Sequence, residues 1–352
     1  MDLQQTIAAV QPPCEGSRAQ AAQRFSDIAM PLGSLGLLQD AVAQIAAIRR
    51  TLRPSIAKRA VVMFCADNGV VAQGVTQCGQ EVTATVAENM GRGQSAVCLM
   101  AKRIGMDSFP VDIGVARDVR GERILRRKIR YGTADMTKEP AMTRDEAVRA
   151  MEVGIALAGW CAAEEYDLLC GGEMGIGNTT TSAAVTAALT GADVETVTGR
   201  GAGLSTEGLA RKVHAIQTAL ALHQPDPNDP IDVLHKVGGL DIAGLAGLYL
   251  GAAACGLPAV LDGVISCAAA LIAVRLCPEV RGYLLAGHRS EEPAGALLLR
   301  ELELRPFITA GMRLGEGTGA VAAVSLLDLV FAAYDGMPSF AEAGVEAYQP
   351  LT

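Results

Sequence analysis

Aromatic side chains are scarce in this chain, at 4% of 352 residues with a single Trp. Its core must therefore be built from aliphatic side chains and close backbone contacts rather than from stacked rings. Histidine occurs only at 214, 223, 235 and 288, with no H-x-x-x-H or Cys/His ligand spacing, so neither a metal site nor a cofactor is expected. There is no Gly-Lys pair, which excludes a P-loop, and no G-x-S-x-G elbow, which argues against a serine hydrolase. The formal net charge is −8, and no basic cluster is interleaved with aromatics, so no nucleic-acid partner is expected. The one positive run, Arg120, Arg123, Arg126, Arg127, Lys128 and Arg130, reads as a solvated connection. Residues 1–13, MDLQQTIAAVQPP, lack a basic start followed by an apolar stretch, so no secretory signal is read there. Nine cysteines without a C-x-x-C pair, several inside apolar runs, fit free thiols in a reducing cytoplasm.

What is plentiful is aliphatic surface and glycine: 50% of residues are hydrophobic and 39 are Gly, which excludes disorder. The span from Ile242 to Leu261 carries no charge and is long enough to cross a bilayer. Its Gly and Ala content, Pro258 and the bounding Asp241 and Asp262 instead predict a buried helix, a turn at 255–258 and a short strand, with no membrane partner. Short aliphatic runs recur at Ala60–Asp67, Ser108–Ile113, Lys128–Tyr131, Tyr166–Cys170, Pro258–Asp262 and Gly282–Ala286, with helical patterns between most of them. The expected fold is α/β, a Rossmann-like parallel sheet of about six strands flanked by helices. Thr143 and Glu146 form a capping box for a helix whose Val148, Met151, Ile155 and Ala158 share one face. Residues 59–318 are expected to form the large substrate-binding domain. Residues 1–58, with a helix carrying Leu35, Leu38, Val42, Ile45 and Ile48, should join 319–352 in a small helical domain.

In an open parallel sheet, ligands bind beyond the carboxyl ends of the strands. The loop 171–178 there is rich in glycine, and Asn178 with Thr179, Thr180 and Thr181 opens the next helix, an arrangement whose free N–H groups suit a phosphate. A tight turn with a threonine cap explains the same residues without a ligand. Thr180 stands where a dinucleotide fingerprint needs its third glycine, which disfavours a nicotinamide-dependent oxidoreductase. Gly199 to Ser205 is a second glycine-rich segment, preceding a helix with Lys212 as a candidate point charge. In a third, Leu314-Gly315-Glu316-Gly317, one carboxylate is bracketed by glycines, where it can face a ligand or simply complement a helix start. Glu173 and Glu316 in separate glycine loops, one phosphate cradle and no metal box point to acid-base and positional catalysis on a phosphorylated small molecule.

PLGSLGLL (31–38), FCADNGVVAQGV (64–75), GGEMGIGNTT (171–180), the segment 236–263, GHRSEEP (287–293) and MRLGEGTGA (312–320) together closely resemble the nicotinate-nucleotide:dimethylbenzimidazole phosphoribosyltransferase family of cobalamin biosynthesis. The resemblance runs in order over nearly the whole chain. It implies a homodimer and a pentosyltransferase reaction: a lower-ligand base displaces nicotinate from its mononucleotide to give an α-ribotide. Carried over by motif, Glu316 is the base and Glu173 lies near the ribose. Gly175, Gly177, Asn178, Thr179, Gly201, Gly203, Lys212 and Ser290 would hold the nucleotide, and Cys78, Val86, Leu314 and Gly315 the incoming base. Cys78 and Val86 stand where family members carry Ser and Gln, and Leu37 where Arg is common. The pocket is thus expected to be less polar, with benzimidazoles, purines and phenolic acceptors all candidates. A non-catalytic nucleotide sensor on the same fold is the rival reading, and it needs no carboxylate beside the phosphate loop.

Overall fold

The computed structural model describes residues 1–348. Six strands, β1 (Arg59–Ala66), β2 (Asp107–Gly114), β3 (Leu125–Arg126), β4 (Leu168–Met174), β5 (Ala259–Leu261) and β6 (Leu284–Ala286), form one all-parallel sheet in the order β3-β2-β1-β4-β5-β6. The α/β class and strand number are those expected. From β1 the chain winds outward in one direction, returns through the Arg144–Ala163 helix, and winds outward from β4 in the other. Loops leaving the carboxyl ends of β1 and β4 therefore diverge, which opens a crevice at this switch point.

Every residue of β1 is buried, and its side chains alternate between two cores. Ala60, Val62, Phe64 and Ala66 face one helical layer, whereas Val61, Met63 and Cys65 face the other. The first layer contains the helices Arg144–Ala163 and Leu240–Ala254. The second contains Glu15–Asp27, Leu37–Arg49 and Thr318–Gly336. Segments from both chain ends meet in that second layer: Arg24 donates to the Tyr334 carbonyl (2.6 Å) and the Tyr334 hydroxyl to that of Leu52 (2.8 Å). The helix Leu3–Ala9 lies instead on the first layer, where Leu3 joins the core. Of the C-terminal segment expected to be helical, residues 349–352 lie outside the described residues.

Local signals were mostly literal. The Thr143 and Glu146 capping box is formed, and the uncharged stretch resolves into a buried helix to Ala254, a turn and β5. The strand expected at Lys128–Tyr131 is the exception, since β3 is only Leu125–Arg126. The chain beyond it still runs along β2, the Arg127 and Ile129 N–H groups donating to the Asp112 and Ile113 carbonyls at 2.9 Å, while the Lys128 side chain turns inward to pair with Asp112 at 3.0 Å and to cap the Arg117 carbonyl at 3.0 Å. Among the described residues one helix, Thr318–Gly336, is long and apolar enough to cross a membrane. Its Val321, Val324, Leu327 and Val330 are buried against the sheet and neighbouring helices.

The scarcity of aromatics is answered by glycine at the closest helix crossing. A Cβ on Gly247 would overlap the carbonyl of Met151, one on Gly154 that of Gly244, and one on Gly251 would come within 2.8 Å of the Ala158 methyl. Backbones meet where side chains would otherwise keep them apart. Gly247→Ala should therefore destabilise the protein by about 1–3 kcal/mol through overpacking, although the same change on an open helix face gains about 0.5–1 kcal/mol. A urea midpoint that stays or rises in this variant would contradict the packing described.

Candidate active site

Beyond the carboxyl ends of β1, β4, β5 and β6 lies a cleft of about 220 Å³. Its floor exists because Gly172 in β4 has no side chain: a Cβ there would overlap the carbonyl of Glu316, so only glycine lets the 314–318 loop cross this close over the strand. Gly315 (φ +86°) and Gly317 (φ +98°) adopt the left-handed region, and so does Glu316 between them (φ +63°). Such a conformation is uncommon for a residue with a side chain and is tolerated where the surroundings over-determine it.

Those surroundings are supplied by Asp262, at the end of β5. Its carboxylate accepts the backbone N–H groups of Gly317 (3.2 Å), Gly319 (2.6 Å) and Ala320 (3.2 Å), capping the Thr318–Gly336 helix. The helix start that Glu316 would complement on the ligand-free alternative is thus already occupied. Glu316 reaches a different one, accepting the N–H of Val97 at 3.3 Å on the Ala96–Arg103 helix. Burial raises its pKa above 4.5, Asp262's charge adds to this, and the Val97 and Ser95 contacts offset only part.

Glu173, the last buried residue of β4, lies beneath the loop, with its Oε1 2.6 Å from the Cβ position of Gly315. Burial, then the charges of Asp241 and Asp262, push its carboxyl up to about 8, against hydrogen bonds from Asn178 and the Glu316 N–H. It is therefore mostly a neutral acid at pH 7. Asn178 donates to both Glu173 and Asp241, the latter at 3.0 Å, so its amide bridges two carboxyls. Asp241 is fully buried and pushed up to about 6. His288 contacts Asp262 at 3.5 Å; burial pulls its pKa down, but the bond to Asp262 and that residue's charge outweigh it, leaving it above 6.5.

Gly175, Gly177, Asn178, Thr179, Gly201, Gly203 and Ser290, expected to hold a nucleotide, line the cleft. Lys212 is fully buried behind that wall, donating to Thr179 Oγ1 (2.8 Å) and the Gly199 carbonyl (3.0 Å); burial draws its pKa down to about 8, opposed by Glu292. Cys78, Leu314 and Gly315 also line the cleft, whereas Val86 does not. It lies within the Glu81–Gly91 helix, half-buried against the second-layer core. Asp241, Asp262, His288 and Glu292 were not singled out from sequence. Asp262 and His288 were legible only as residues following strands, and Asp241 only as the boundary of an apolar run. Among the described residues no group of three or more His, Cys, Asp or Glu side chains is arranged to hold a metal ion.

A family model for phosphoribosyltransferases matches residues 10–345. The nicotinate-nucleotide–dimethylbenzimidazole phosphoribosyltransferase of Chloroflexus aggregans is 49% identical over 335 residues, covering 95% of each chain, and that of Acetivibrio thermocellus is 46% identical over 328 residues, covering 93% of each. The crystal structure of the nicotinate-nucleotide–dimethylbenzimidazole phosphoribosyltransferase of Thermus thermophilus superposes with a TM-score of 0.89 at 40% identity, over 95% of this chain and 99% of that one.

The carboxyl group of Glu173 links proton binding to stability. Folding raises its pKa from 4.5 to about 8, so between those values the folded state holds the extra proton and stability falls as pH rises. Glu173→Gln should flatten that decline and raise the melting temperature most at the alkaline end. Parallel pH–melting curves for the two proteins would show instead that Glu173 titrates normally.

Proposed function

The chain belongs to the nicotinate-nucleotide–dimethylbenzimidazole phosphoribosyltransferase family, and from that membership we propose that it transfers the phosphoribosyl group of nicotinate mononucleotide to a lower-ligand base for cobamide assembly. The observation that carries this reading is that Glu173 and Glu316 line the same cleft as the Gly175–Thr179 loop, at the sheet's switch point. A binding-only protein has no need of two carboxyls beside a phosphate loop.

On this reading the phosphate sits against the backbone N–H groups of loops 175–179 and 201–203, with Lys212 behind them and Ser290 at the edge. An azole nitrogen attacks ribose C1′ as the C1′–N bond to nicotinate breaks. The bonding pair leaves with the pyridine ring, which departs neutral in its nitrogen and needs no general acid. The attacking ring must shed its N–H proton, and Glu316 takes it. Partial burial, which favours the protonated form, makes Glu316 a better acceptor than an exposed carboxylate. Glu173, already carrying a proton, is left to contact the ribose. Cys78 and Leu314 offer the base little hydrogen bonding, so shape and apolar contact select it.

The same resemblance supports a homodimer, and the exposed Leu99 and Leu329 on the neighbouring Ala96–Arg103 and Thr318–Gly336 helices are compatible with a covered face. All nine cysteines are free, which suits a reducing cytoplasm.

Purified protein should release nicotinate from its mononucleotide only when an azole is supplied. Glu316→Gln keeps the side-chain shape and should lower kcat by about 10²–10⁴-fold while the KM for the mononucleotide changes little. Near-normal kcat in that variant would transfer the role of base to Glu173 or to solvent.

A further inference from the structure

The wall assigned to the phosphate already holds an anion of the protein's own. Glu292, in the turn before the Ala294–Glu301 helix, accepts the Gly201 N–H at 3.1 Å through Oε1. Its other carboxylate oxygen lies where a Cβ of Gly199 would stand, so the carboxylate rests directly on the glycine loop. The same loop is held from within by Lys212, whose ammonium binds the Gly199 carbonyl, lies 3.7 Å from the Cβ position of Gly201, and is countered electrostatically by Glu292. Thr179, Gly201, Ser290 and Glu292 all face the cleft.

A buried ammonium needs a compensating charge. The protein offers two ways to supply it, a carboxylate while the cleft is free and a phosphate when it is filled. Resting on the phosphoribosyl reading above, we propose that Glu292 is an internal occupant of the phosphate subsite, which a dianionic phosphate monoester displaces on binding. A dianion with three acceptor oxygens outcompetes a single carboxylate for the Gly201 N–H and sets more negative charge beside Lys212, whereas a ligand without that charge leaves Glu292 in place. Glu292 thus sets the charge a ligand must carry to enter. Half-buried beside Pro293, it can leave for solvent without disturbing the core.

Inorganic phosphate titrated calorimetrically at neutral pH into the intact protein and into Glu292→Gln tests this directly. Gln keeps an acceptor for the Gly201 N–H and removes the competing charge. Phosphate should bind the Gln variant about tenfold more tightly, the scale of one charge-assisted hydrogen bond that need not be broken, and Glu292→Ala should shift it the same way. The KM for nicotinate mononucleotide should fall in parallel. Equal or weaker phosphate binding in both variants would make Glu292 a fixed strut of the loop and overturn the inference. Because phosphate binding requires no turnover, it decides the point even if no azole supports transfer, an outcome that would count against the proposed reaction instead.

Discussion

Asp262 is the tie on which the cleft depends. One carboxylate at the tip of β5 gathers three N–H groups of the Thr318–Gly336 helix and a contact from His288. A capping carboxylate is usually worth about 0.5–2 kcal/mol, but here its geometric role is larger than its energetic one. It fixes where the helix begins, hence where Gly315, Glu316 and Gly317 must turn, and so holds Glu316 in a backbone region that a glutamate rarely adopts. The glycines permit this arrangement without producing it. Gly172 clears the space above β4, Gly319 clears the space for the His288 ring, and Asp262 draws the loop into both.

The same residue sets the protonation of its neighbours. Burial makes every charge in this corner costly, and Asp262 adds a negative field to both Glu173 and Glu316. The two glutamates differ in how much relief they find. Glu173 is enclosed with Asp241 and shares the Asn178 amide with it, so this pair keeps a proton at neutral pH, chiefly on Glu173. Glu316 sits at the mouth with a helix N–H for support and is shifted less far. Two carboxyls of the same residue type are thereby shifted to different degrees, the enclosed Glu173 further than Glu316 at the mouth.

Much of the fold was legible because its signals are local and short. A capping box, aliphatic runs of strand length and glycine loops after them describe a parallel sheet whose ligand site must lie at the strand ends. β3 was misplaced because its pairing is only two residues long, and a pairing that short leaves no local pattern in the sequence. The site divided in the same way. Residues carried by their motif, such as Gly175, Gly177, Glu173 and Glu316, line the cleft, whereas Val86 depends on the rotation of a helix and faces the core. Asp241 and Asp262 read as chain punctuation because their function is to hold buried partners, and burial of a lone aspartate leaves no periodic trace.

The construction of the cleft follows from what a group transfer must keep and what it must exchange. In the proposed reaction the phosphoribosyl moiety is common to substrate and product, while one ring leaves and another arrives. On that reading the shared part would be met by backbone: the Gly175–Thr179 turn joins β4 to a buried helix, and sheet and helix fix both its ends. The exchanged part would be met by side chains on loops, Cys78 and the 61% exposed Leu314, which adapt at little cost. A rigid pivot with a pliable rim keeps C1′ in register while its partner changes. The rim can then diverge without moving the glutamates, because the rim hangs on loops whereas Glu173 is anchored in β4 and Glu316 is held by Asp262 from β5.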